Sequence, residues 1–462
     1  MFQEIAYRDP LQIFALFAEQ NGALFFDSAQ LRPHCGRYSF IALDPFLFLQ
    51  SKNGVVLLNE QILYADPLAV LVQQLARFSQ ENIAGLPPFQ GGVAGFWSYD
   101  LAQHFEKLPR AKSDDMQFPD MALGFYDLVI GFDELTQRAW IFSSGFPEQD
   151  AAKREQRAEE RLDELSQQLN SLPELSPILT TPFAEEVIAS NFTPHAYEQA
   201  VKKVIDYILA GDIFEANISQ RFRVDLPPDF SAFQLYRKLR QLNPAPFSAF
   251  LKLAETEMVS ASPERFLQLT KQQVETRPIK GTRPRGKTEQ EDRQLAAALL
   301  ASEKDRAENI MIVDLLRNDL SRVCENDTIH VPQLCGLESY ATMHHLVSVI
   351  TGKLRPTLTA VDLLRATFPG GSITGAPKIR AMEIIAEIEP TARGPYCGSI
   401  GYIGFNGDMD TSITIRTIAI KNHIATFQAG GAIVADSQPV EEYEETLTKA
   451  RALRRSFYDF VN

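Results

Sequence analysis

The first third of the chain is a succession of short apolar runs separated by turn residues. Helical periodicity interrupts this part of the chain at Leu11 to Gln20 and at Pro67 to Ser79. Aromatic and β-branched residues are frequent in the runs, as is typical of β-strands. The runs are GALFFDS, RYSFIAL, FLFLQ, GVVLL, GGVAGFWSYD, LGFYDLVIGFD and RAWIFSS. Residues 1–146 are therefore predicted to form an α+β region built on a sheet.

Residues 147–182 have a different character. A charged helix, AAKREQRAEERLDELSQQLN, is followed by the proline-spaced stretch SLPELSPILTTPF. We interpret this part as a solvated helix and connector. Over residues 183–462, strand patterns alternate with helices predicted at 194–210, 304–323, 377–388 and 440–457. The expected organisation is two structured regions, 1–146 and 183–462, joined by the connector.

Composition excludes several classes of protein. Of the 462 residues, 45% are hydrophobic, and the formal net charge is −14. This charge argues against general binding to nucleic acid or to an anionic membrane surface. The four cysteines lack metal-binding or disulfide-framework spacing, and the N-terminal residues lack the pattern of a signal peptide. We therefore expect a cytoplasmic protein.

The segment RPIKGTRPRG, from Arg277 to Gly286, is the clearest local basic patch. It places Lys280 near Arg277, Arg283 and Arg285. Like charge lowers the pKa of an amine, and a neutral lysine is a usable nucleophile. The alternative interpretation is a solvated basic surface loop.

The same segment matches the phosphate-binding pattern GxxxxGK[ST] through GTRPRGKT. A nucleotide-binding loop cradles phosphate with consecutive backbone N–H groups. Pro284 has no N–H, and the neighbouring Arg283 and Arg285 are bulky where glycine-like freedom is needed. A nucleotide-binding protein therefore remains a remote alternative.

Two predicted helices each carry a pair of acidic residues on one face. Glu308 shares a face with Ile312, and Asp305 precedes it by one turn. Glu442 and Glu445 are likewise three residues apart. Such carboxylates suit Mg²⁺, although the acidic run EEYEET is also typical of a helix N-terminus.

Other residues suggest recognition of an anion. The loop FPGGSITGAP precedes a predicted helix, whose first N–H groups favour a carboxylate or phosphate. Strand alternation in TSITIRTIAI puts Arg416 on the face of Ser412 and Thr414, where an arginine awaits a carboxylate. His345 is a candidate acid or base near neutral pH, or else a buried histidine with satisfied hydrogen bonds.

As a set, these segments resemble the chorismate-utilising enzymes, and within them the subfamily that forms aminodeoxychorismate. The resemblance covers about residues 190 to 460 in family order, and more loosely the N-terminal third. The matching segments are GDIFEANISQRF, SASPERF, RPIKGTRPRG, AENIMIVDLLRNDL, HHLVS, FPGGSITGAPKIRAME, GPYCGSIGYI, TSITIRT, QAGGAIVADS and EEYEETLTKA. It implies an α+β sandwich of two large, mainly antiparallel sheets with helices on the outer faces.

The resemblance also implies a reaction. Relatives that form anthranilate carry alanine in PIAGT, whereas this chain carries Lys280 in PIKGT. Lys280 would attack C2 of chorismate while the C4 hydroxyl leaves, with Glu264 as the general acid. Ammonia would then add at C4 and expel the lysine, giving 4-amino-4-deoxychorismate for p-aminobenzoate and folate biosynthesis.

The family's other site residues carry over by position. The metal ligands implied for Mg²⁺ are Glu308 and Glu445, with Glu442 and Asp305 acting through water. Asp305 departs from an expected glutamate, and Ala432 from an expected glycine. Groups implied to bind chorismate are Ser372, His345, Tyr396, Arg416 and the backbone of Gly430, Gly431 and Ala432.

The chain departs from the family pattern at Glu215, which stands where amine-using relatives carry glutamine and isochorismate-forming relatives carry a lysine base. Two further expectations follow from the resemblance. A separate glutamine amidotransferase subunit would supply ammonia. A tryptophan pocket would lie at Ser28, Arg37, Tyr38, Ser39, Asn243 and Phe247. Two alternatives are an anthranilate synthase component I and a non-catalytic amino-acid sensor.

Overall fold

A computed structural model describes residues 1–32, 34–172, 174–178, 183–340 and 343–458. Part of the predicted connector, at 173 and 179–182, lies outside these residues. The helices are α1 (Pro10–Phe14), α2 (Pro67–Leu75), α3 (Ala151–Gln168), α4 (Pro194–Leu209), α5 (Ala232–Leu242), α6 (Glu289–Ala301), α7 (Glu303–Ser321), α8 (Ala360–Thr367), α9 (Lys378–Ile388) and α10 (Pro439–Tyr458).

The strands divide between two large sheets. In chain order they are β1 (Phe2–Ile5), β2 (Leu24–Asp27), β3 (Tyr38–Leu43), β4 (Leu47–Lys52), β5 (Val55–Leu58), β6 (Gln61–Leu63), β7 (Gly92–Trp97), β8 (Met121–Tyr126), β9 (Leu128–Asp133), β10 (Arg138–Ser143), β11 (Ala189–Ser190), β12 (Glu215–Asp225), β13 (Phe247–Leu253), β14 (Thr256–Ser262), β15 (Arg265–Thr270), β16 (Gln273–Thr276), β17 (Ile279–Pro284), β18 (His330–Ser339), β19 (Met343–Lys353), β20 (Gly375–Ala376), β21 (Ser399–Gly404), β22 (Met409–Ile413), β23 (Thr417–Lys421) and β24 (Ile424–Ile433).

Each sheet combines strands from both ends of the chain. The first has the order β1-β10-β9-β3-β2-β13-β14-β23-β24-β12-β11, with β20 beside β12. The second has the order β17-β19-β16-β15-β22-β21-β7-β8-β4-β5-β6, with β18 beside β19. Every pairing between described strands is antiparallel. The predicted division at 147–182 stays a prediction, and both flanking stretches contribute to both sheets.

The two sheets pack face to face. A buried cluster joins Phe40 and Leu251 of the first sheet to Phe96 and Tyr402 of the second. Helices cover the outer faces: α1, α5 and α10 contribute to a core on the first sheet, and α2, α7 and α8 to a core on the second. Large apolar side chains on both faces of each sheet bury the strands. The predicted α+β sandwich is confirmed.

Local signals account for most element positions. The N-terminus of α4 has the predicted cap, with the Thr193 hydroxyl accepting from the Ala196 N–H and Pro194 at the first position. The charged helix predicted after residue 147 is α3. The predicted helix at Leu11 to Gln20 is shorter, because only Pro10–Phe14 is α-helical.

Two local predictions were wrong. The Lys280 segment is not a loop, because Ile279–Pro284 is strand β17 and pairs with β19. The late strand predicted around Arg416 is broken into β22 and β23, and Arg416 lies between them with φ of +52°. Its side-chain direction is therefore set by this break and not by strand alternation.

Candidate active site

Lys280 is a buried lysine held by a buried carboxylate. It lies on β17 with 9% of its surface exposed, and its Nζ donates to Oε1 of Glu215 at 2.9 Å. Glu215 begins β12 and is fully buried. Burial by itself lowers the pKa of the Lys280 amine, but Glu215, Glu308 and Glu264 together raise it above the ordinary value. The resting side chain is an ammonium.

The three arginines of the segment do not lower the pKa of Lys280, as the sequence suggested they would. Each is paired with a carboxylate of its own. Arg277 contacts Glu338 at 2.5 Å, Arg283 contacts Asp305 at 2.9 Å, and Arg285 contacts Asp292 at 2.7 Å. The prediction that three arginines keep Lys280 neutral was wrong, since their charges are compensated locally and buried carboxylates surround the amine.

Glu264 faces the same space from the turn between β14 and β15. The Ser372 hydroxyl donates to its Oε1 at 2.8 Å. Burial raises the pKa of Glu264 to about 7, against the opposing effects of the Ser372 hydrogen bond and of Lys280. A carboxyl group with this pKa still carries its proton at neutral pH for an appreciable fraction of the time. It has the property that a general acid requires.

The backbone of the glycine loop packs against the start of β12, where Glu215 lies. Gly375 and Ala376 form β20, which pairs with the first two residues of β12. A Cβ on Gly375 would lie 2.1 Å from the Glu215 carbonyl oxygen, and the residue has φ of +145°. Only glycine allows this approach. The predicted helix begins at Lys378 after a cis Pro377, so the proline precedes the helix and does not occupy its first turn.

The four acidic residues that the sequence singled out lie on two helices. Glu308 and Asp305 lie on α7, while Glu442 and Glu445 lie on α10. Burial raises the pKa of Glu308 to about 7, although the positive charge of Lys280 lowers it. Burial also raises the pKa of Glu445, but the positive charge of Lys449, 2.5 Å away, outweighs this effect and lowers the pKa below the ordinary value.

The oxygen atoms of α10 suit a hard cation. A Cβ on Gly431 would lie 2.9 Å from Glu442 Oε2 and 3.4 Å from Glu445 Oε1, so both carboxylates lie over this glycine. Glu442 Oε2 is buried and has no hydrogen-bond partner in the described part of the chain. Asp305 is engaged by Arg283. Within the described residues, no three acidic, histidine or cysteine side chains are gathered as a ready-made metal cluster.

Arg416 and the backbone of residues 430–432 lie beside the acidic residues of α10. Burial lowers the pKa of Arg416, while Tyr396 and Glu445 raise it. Its Nη1 donates to the Lys449 carbonyl at 2.6 Å, and the described residues show no other hydrogen bond from its guanidinium. Strand β23 pairs with β24 only from Ile424 to Phe427, so residues 430–432 lie beyond that pairing.

His345 lies on β19, where its Nδ1 is 2.8 Å from the Thr282 hydroxyl. Burial and the nearby charge of Arg32 lower its pKa to about 4. The imidazole is therefore neutral at pH 7. This protonation state suits a hydrogen bond to a ligand and argues against the predicted role as an acid near neutral pH.

Lys449 was missed by sequence reasoning. Its Nζ contacts Glu445 and donates to the Gly430 carbonyl at 2.9 Å, and its own carbonyl accepts from Arg416. It thereby links the acidic helix, the glycine strand and the arginine. The signal was its position four residues after Glu445, which puts both side chains on one helix face.

Four of the six residues predicted for an N-terminal pocket line a cavity of about 420 Å³. Ser28, Arg37, Tyr38 and Phe247 line it, with Arg265 at its wall. Two predicted members do not: Ser39 lies behind Ser28 and accepts its backbone N–H, and Asn243 ends helix α5.

These elements can be compared with known proteins. A profile of the chorismate binding enzymes matches residues 34–455. The chain belongs to this family. It is 43% identical over 426 residues to aminodeoxychorismate synthase component 1 of Escherichia coli, covering 90% of this chain and 89% of the relative.

Other chorismate-binding relatives carry a different name at comparable similarity. Anthranilate synthase component 1 of Thermus thermophilus is 40% identical over 448 residues, covering 97% of this chain and 95% of the relative. The crystal structure of anthranilate synthase component I from Streptococcus pneumoniae superposes with a TM-score of 0.81 at 34% identity, covering 92% and 93% of the two chains. Overall similarity therefore fixes the family and the fold without separating the two activities. No helix in the described parts of the chain has the length and apolar character of a membrane span.

Proposed function

We propose that this chain is the synthase subunit that converts chorismate and ammonia to 4-amino-4-deoxychorismate. The supporting observation is Lys280, a buried lysine on β17 that is close enough to Glu264 for each charge to shift the pKa of the other group. According to the family resemblance, relatives that form anthranilate carry alanine at this position. A nucleophile and a proton donor that share one buried site suit a substitution through a covalent lysine intermediate.

Anthranilate synthase component I is the second candidate, because relatives of that name are about as similar. The fold is compatible with both activities. Lys280 is the residue that favours the first candidate over anthranilate synthase. The nucleotide-binding alternative has no such support, since Gly281 to Pro284 are part of β17 instead of a phosphate-binding loop.

We propose Glu308 and Glu445 as Mg²⁺ ligands, with Glu442 and Asp305 acting through bound water. The unpartnered oxygen of Glu442 and the raised pKa of Glu308 support this assignment, because both carboxylates lack adequate stabilisation as anions. When bound, Mg²⁺ would neutralise and orient a substrate carboxylate. The Arg283 contact makes Asp305 the weakest member of the set.

Chorismate is a dianion, and the remaining groups suit its second carboxylate and its ring. Arg416 and Tyr396 would bind the enolpyruvyl carboxylate, while the backbone of residues 430–432 would support the carboxylate near the metal. Ser372 and neutral His345 would lie near the ring. Holding the ring in one orientation would bring C2 to Lys280 and the C4 hydroxyl to Glu264.

Ammonia would come from a separate glutamine amidotransferase subunit. The names of the relatives support this, since each of those compared is component 1 of a synthase. The four cysteines are unpaired, which suits the predicted cytoplasmic location.

We also propose that the N-terminal cavity binds tryptophan or a similar aromatic amino acid. Its wall combines aromatic rings, such as Phe247 and Tyr38, with charged groups such as Arg37. An amino acid offers the matching ring, amine and carboxylate.

The product formed by the purified chain tests the proposed activity. Incubation with chorismate, Mg²⁺ and ammonium chloride is expected to yield 4-amino-4-deoxychorismate, identified by mass and by chromatography against a standard. Anthranilate and pyruvate as the main products would instead establish the second candidate. A chain that consumes no chorismate but binds an amino acid would support the sensor alternative.

A further inference from the structure

Glu215 is a buried carboxylate with only one of its two oxygens occupied. Its side chain is fully buried, and Oε1 accepts the hydrogen bond from Lys280 at 2.9 Å. Oε2 is also buried and has no hydrogen-bond partner among the residues that the structure describes. Buried carboxylates normally have both oxygens satisfied, so this arrangement needs an explanation.

The backbone holds Glu215 firmly in place. It is paired with Ala376 of β20, and the following residue, Ala216, is paired with Ile433 of β24. Gly375 packs directly on the Glu215 carbonyl. Glu215 therefore lies between the glycine loop and the strand of residues 430–432, beside Lys280.

Lys280 must lose a proton before it can attack carbon. Its ammonium faces four carboxyl groups, from β12, α7, the β14–β15 turn and α10: Glu215, Glu308, Glu264 and Glu445. An ammonium nitrogen has no lone pair. Of the described carboxylates around it, Glu215 is the one that hydrogen-bonds to Nζ, so a proton can pass between them without any movement of the backbone.

We propose that Glu215 is the proton acceptor that activates Lys280, an inference that rests on the proposed function. A proton passes from Nζ to Oε1, the neutral amine forms the N–C2 bond, and the C4–O bond breaks. The hydroxyl leaves as water with the proton of Glu264. Ammonia then forms the N–C4 bond as the C2–N bond breaks, Lys280 leaves as an amine and recovers its proton from Glu215, and the new C4 ammonium returns a proton to Glu264.

Burial favours this transfer, because by itself it lowers the pKa of the Lys280 amine. Two opposite charges in a buried site lose much of their hydration, whereas the neutral amine and carboxylic acid lose far less. Oε1 keeps the amine within hydrogen-bonding distance, and Oε2 has no partner among the described residues that a proton transfer would disrupt.

Single-turnover formation of the covalent adduct tests this role. The full chain is mixed with chorismate and Mg²⁺ without ammonia, and the species bearing chorismate less one water is followed by intact mass. Glu215→Gln keeps the size and the hydrogen bond of the side chain but cannot take a proton. We expect adduct formation to slow by about 100-fold, the usual range for loss of a general base, with the chorismate dissociation constant within about threefold of that of the unmodified chain.

Chemical rescue separates proton transfer from positioning. Glu215→Ala leaves space for a small carboxylate, so added formate is expected to restore adduct formation in proportion to its concentration. Glu215→Gln fills that space and is the matched control, which formate should not rescue. Near-normal adduct formation by Glu215→Gln overturns the proposal, and so does a slow Glu215→Ala variant that formate leaves unchanged, since that result indicates positioning alone.

The unmodified chain distinguishes this inference from the proposed function. If it forms no 4-amino product from chorismate and ammonium, the proposed activity fails whatever the variants do. If it forms the product and Glu215→Gln forms the adduct equally fast, only the assignment of Glu215 fails.

Discussion

Glu264 and Arg265 are neighbours in the chain, yet they face two different sites. Glu264 points to the candidate active site, where Ser372 donates to it. Arg265 lines the N-terminal cavity and makes two hydrogen bonds to Asp410, at 3.0 and 3.1 Å. The two sites therefore share a strand boundary, and their charges can be compared directly.

The active site leaves two buried carboxylate oxygens without a partner among the described residues, whereas two arginines of the cavity are each paired with a carboxylate. Burial raises the pKa values of Glu264 and Glu308 to about 7, and Glu215 and Glu442 each have a buried oxygen without a partner among the described residues. In the cavity, Arg37 is paired with Asp133 at 2.7 Å, as Arg265 is with Asp410. The first arrangement suits exchange of protons and cations, and the second suits binding without chemistry.

Replacing the nucleophile should produce the largest effect. In Lys280→Ala we expect 4-amino-4-deoxychorismate formation to fall by about 1,000-fold or more, as for other nucleophile deletions, and the covalent adduct to disappear. Intact mass and steady-state turnover measure both. The control is Lys287→Ala, an exposed lysine that directly follows the same segment. Equal loss in both variants would show that the segment matters only for folding or general charge.

Removing the proposed acid should have the next largest effect. Glu264→Gln is expected to slow the chemical step by about 10²- to 10⁴-fold. Because the folded-state pKa of Glu264 is about 7, the acid is protonated below that pH, and the normal rate should fall as pH rises through it. A stopped-flow pH profile tests this, and the variant should lose that decline. An unaltered profile in Glu264→Gln would assign the decline to another group.

The difference between the two sites explains what the sequence could predict. Strand and helix positions depend on local patterns, so RYSFIAL predicted β3 and the Thr193-Pro194 pair predicted the start of α4. The sheet order depends on contacts between distant segments, such as β2 with β13 and β7 with β21. No local pattern contains these pairings.

The same limit applies to the environment of Lys280. Its sequence neighbours include three arginines, which suggested a neutral amine. In the fold, those arginines pair with separate carboxylates, and the hydrogen-bond partner of Lys280 is Glu215, 65 residues away. Residue types at the site could be predicted from family motifs, but the protonation of Lys280 depends on non-local burial and charge.

Removing one proposed metal ligand should have an intermediate effect. We expect Glu445→Gln to raise the Mg²⁺ concentration for half-maximal turnover by about 10- to 100-fold, comparable to the effect of altering groups that support a metal site. Glu444→Gln, an exposed neighbour on α10, is the matched control. Turnover at varied Mg²⁺ measures both. An unchanged requirement in Glu445→Gln would remove this residue from the proposed set.

Filling the cavity should have the smallest effect on turnover, and it tests whether the two sites are separate. Ser28→Leu places apolar bulk at the cavity wall and is expected to leave chorismate turnover within about twofold, a change below 1 kcal/mol in the barrier.

In the unmodified chain, tryptophan at 100 times its dissociation constant should stabilise the fold by about 2.7 kcal/mol. Denaturant unfolding with and without tryptophan measures this, and the stabilisation should vanish in Ser28→Leu. Stabilisation that survives the substitution would place the amino-acid site elsewhere. A large loss of turnover would show instead that the strand boundary at Glu264 and Arg265 couples the cavity to the chemistry.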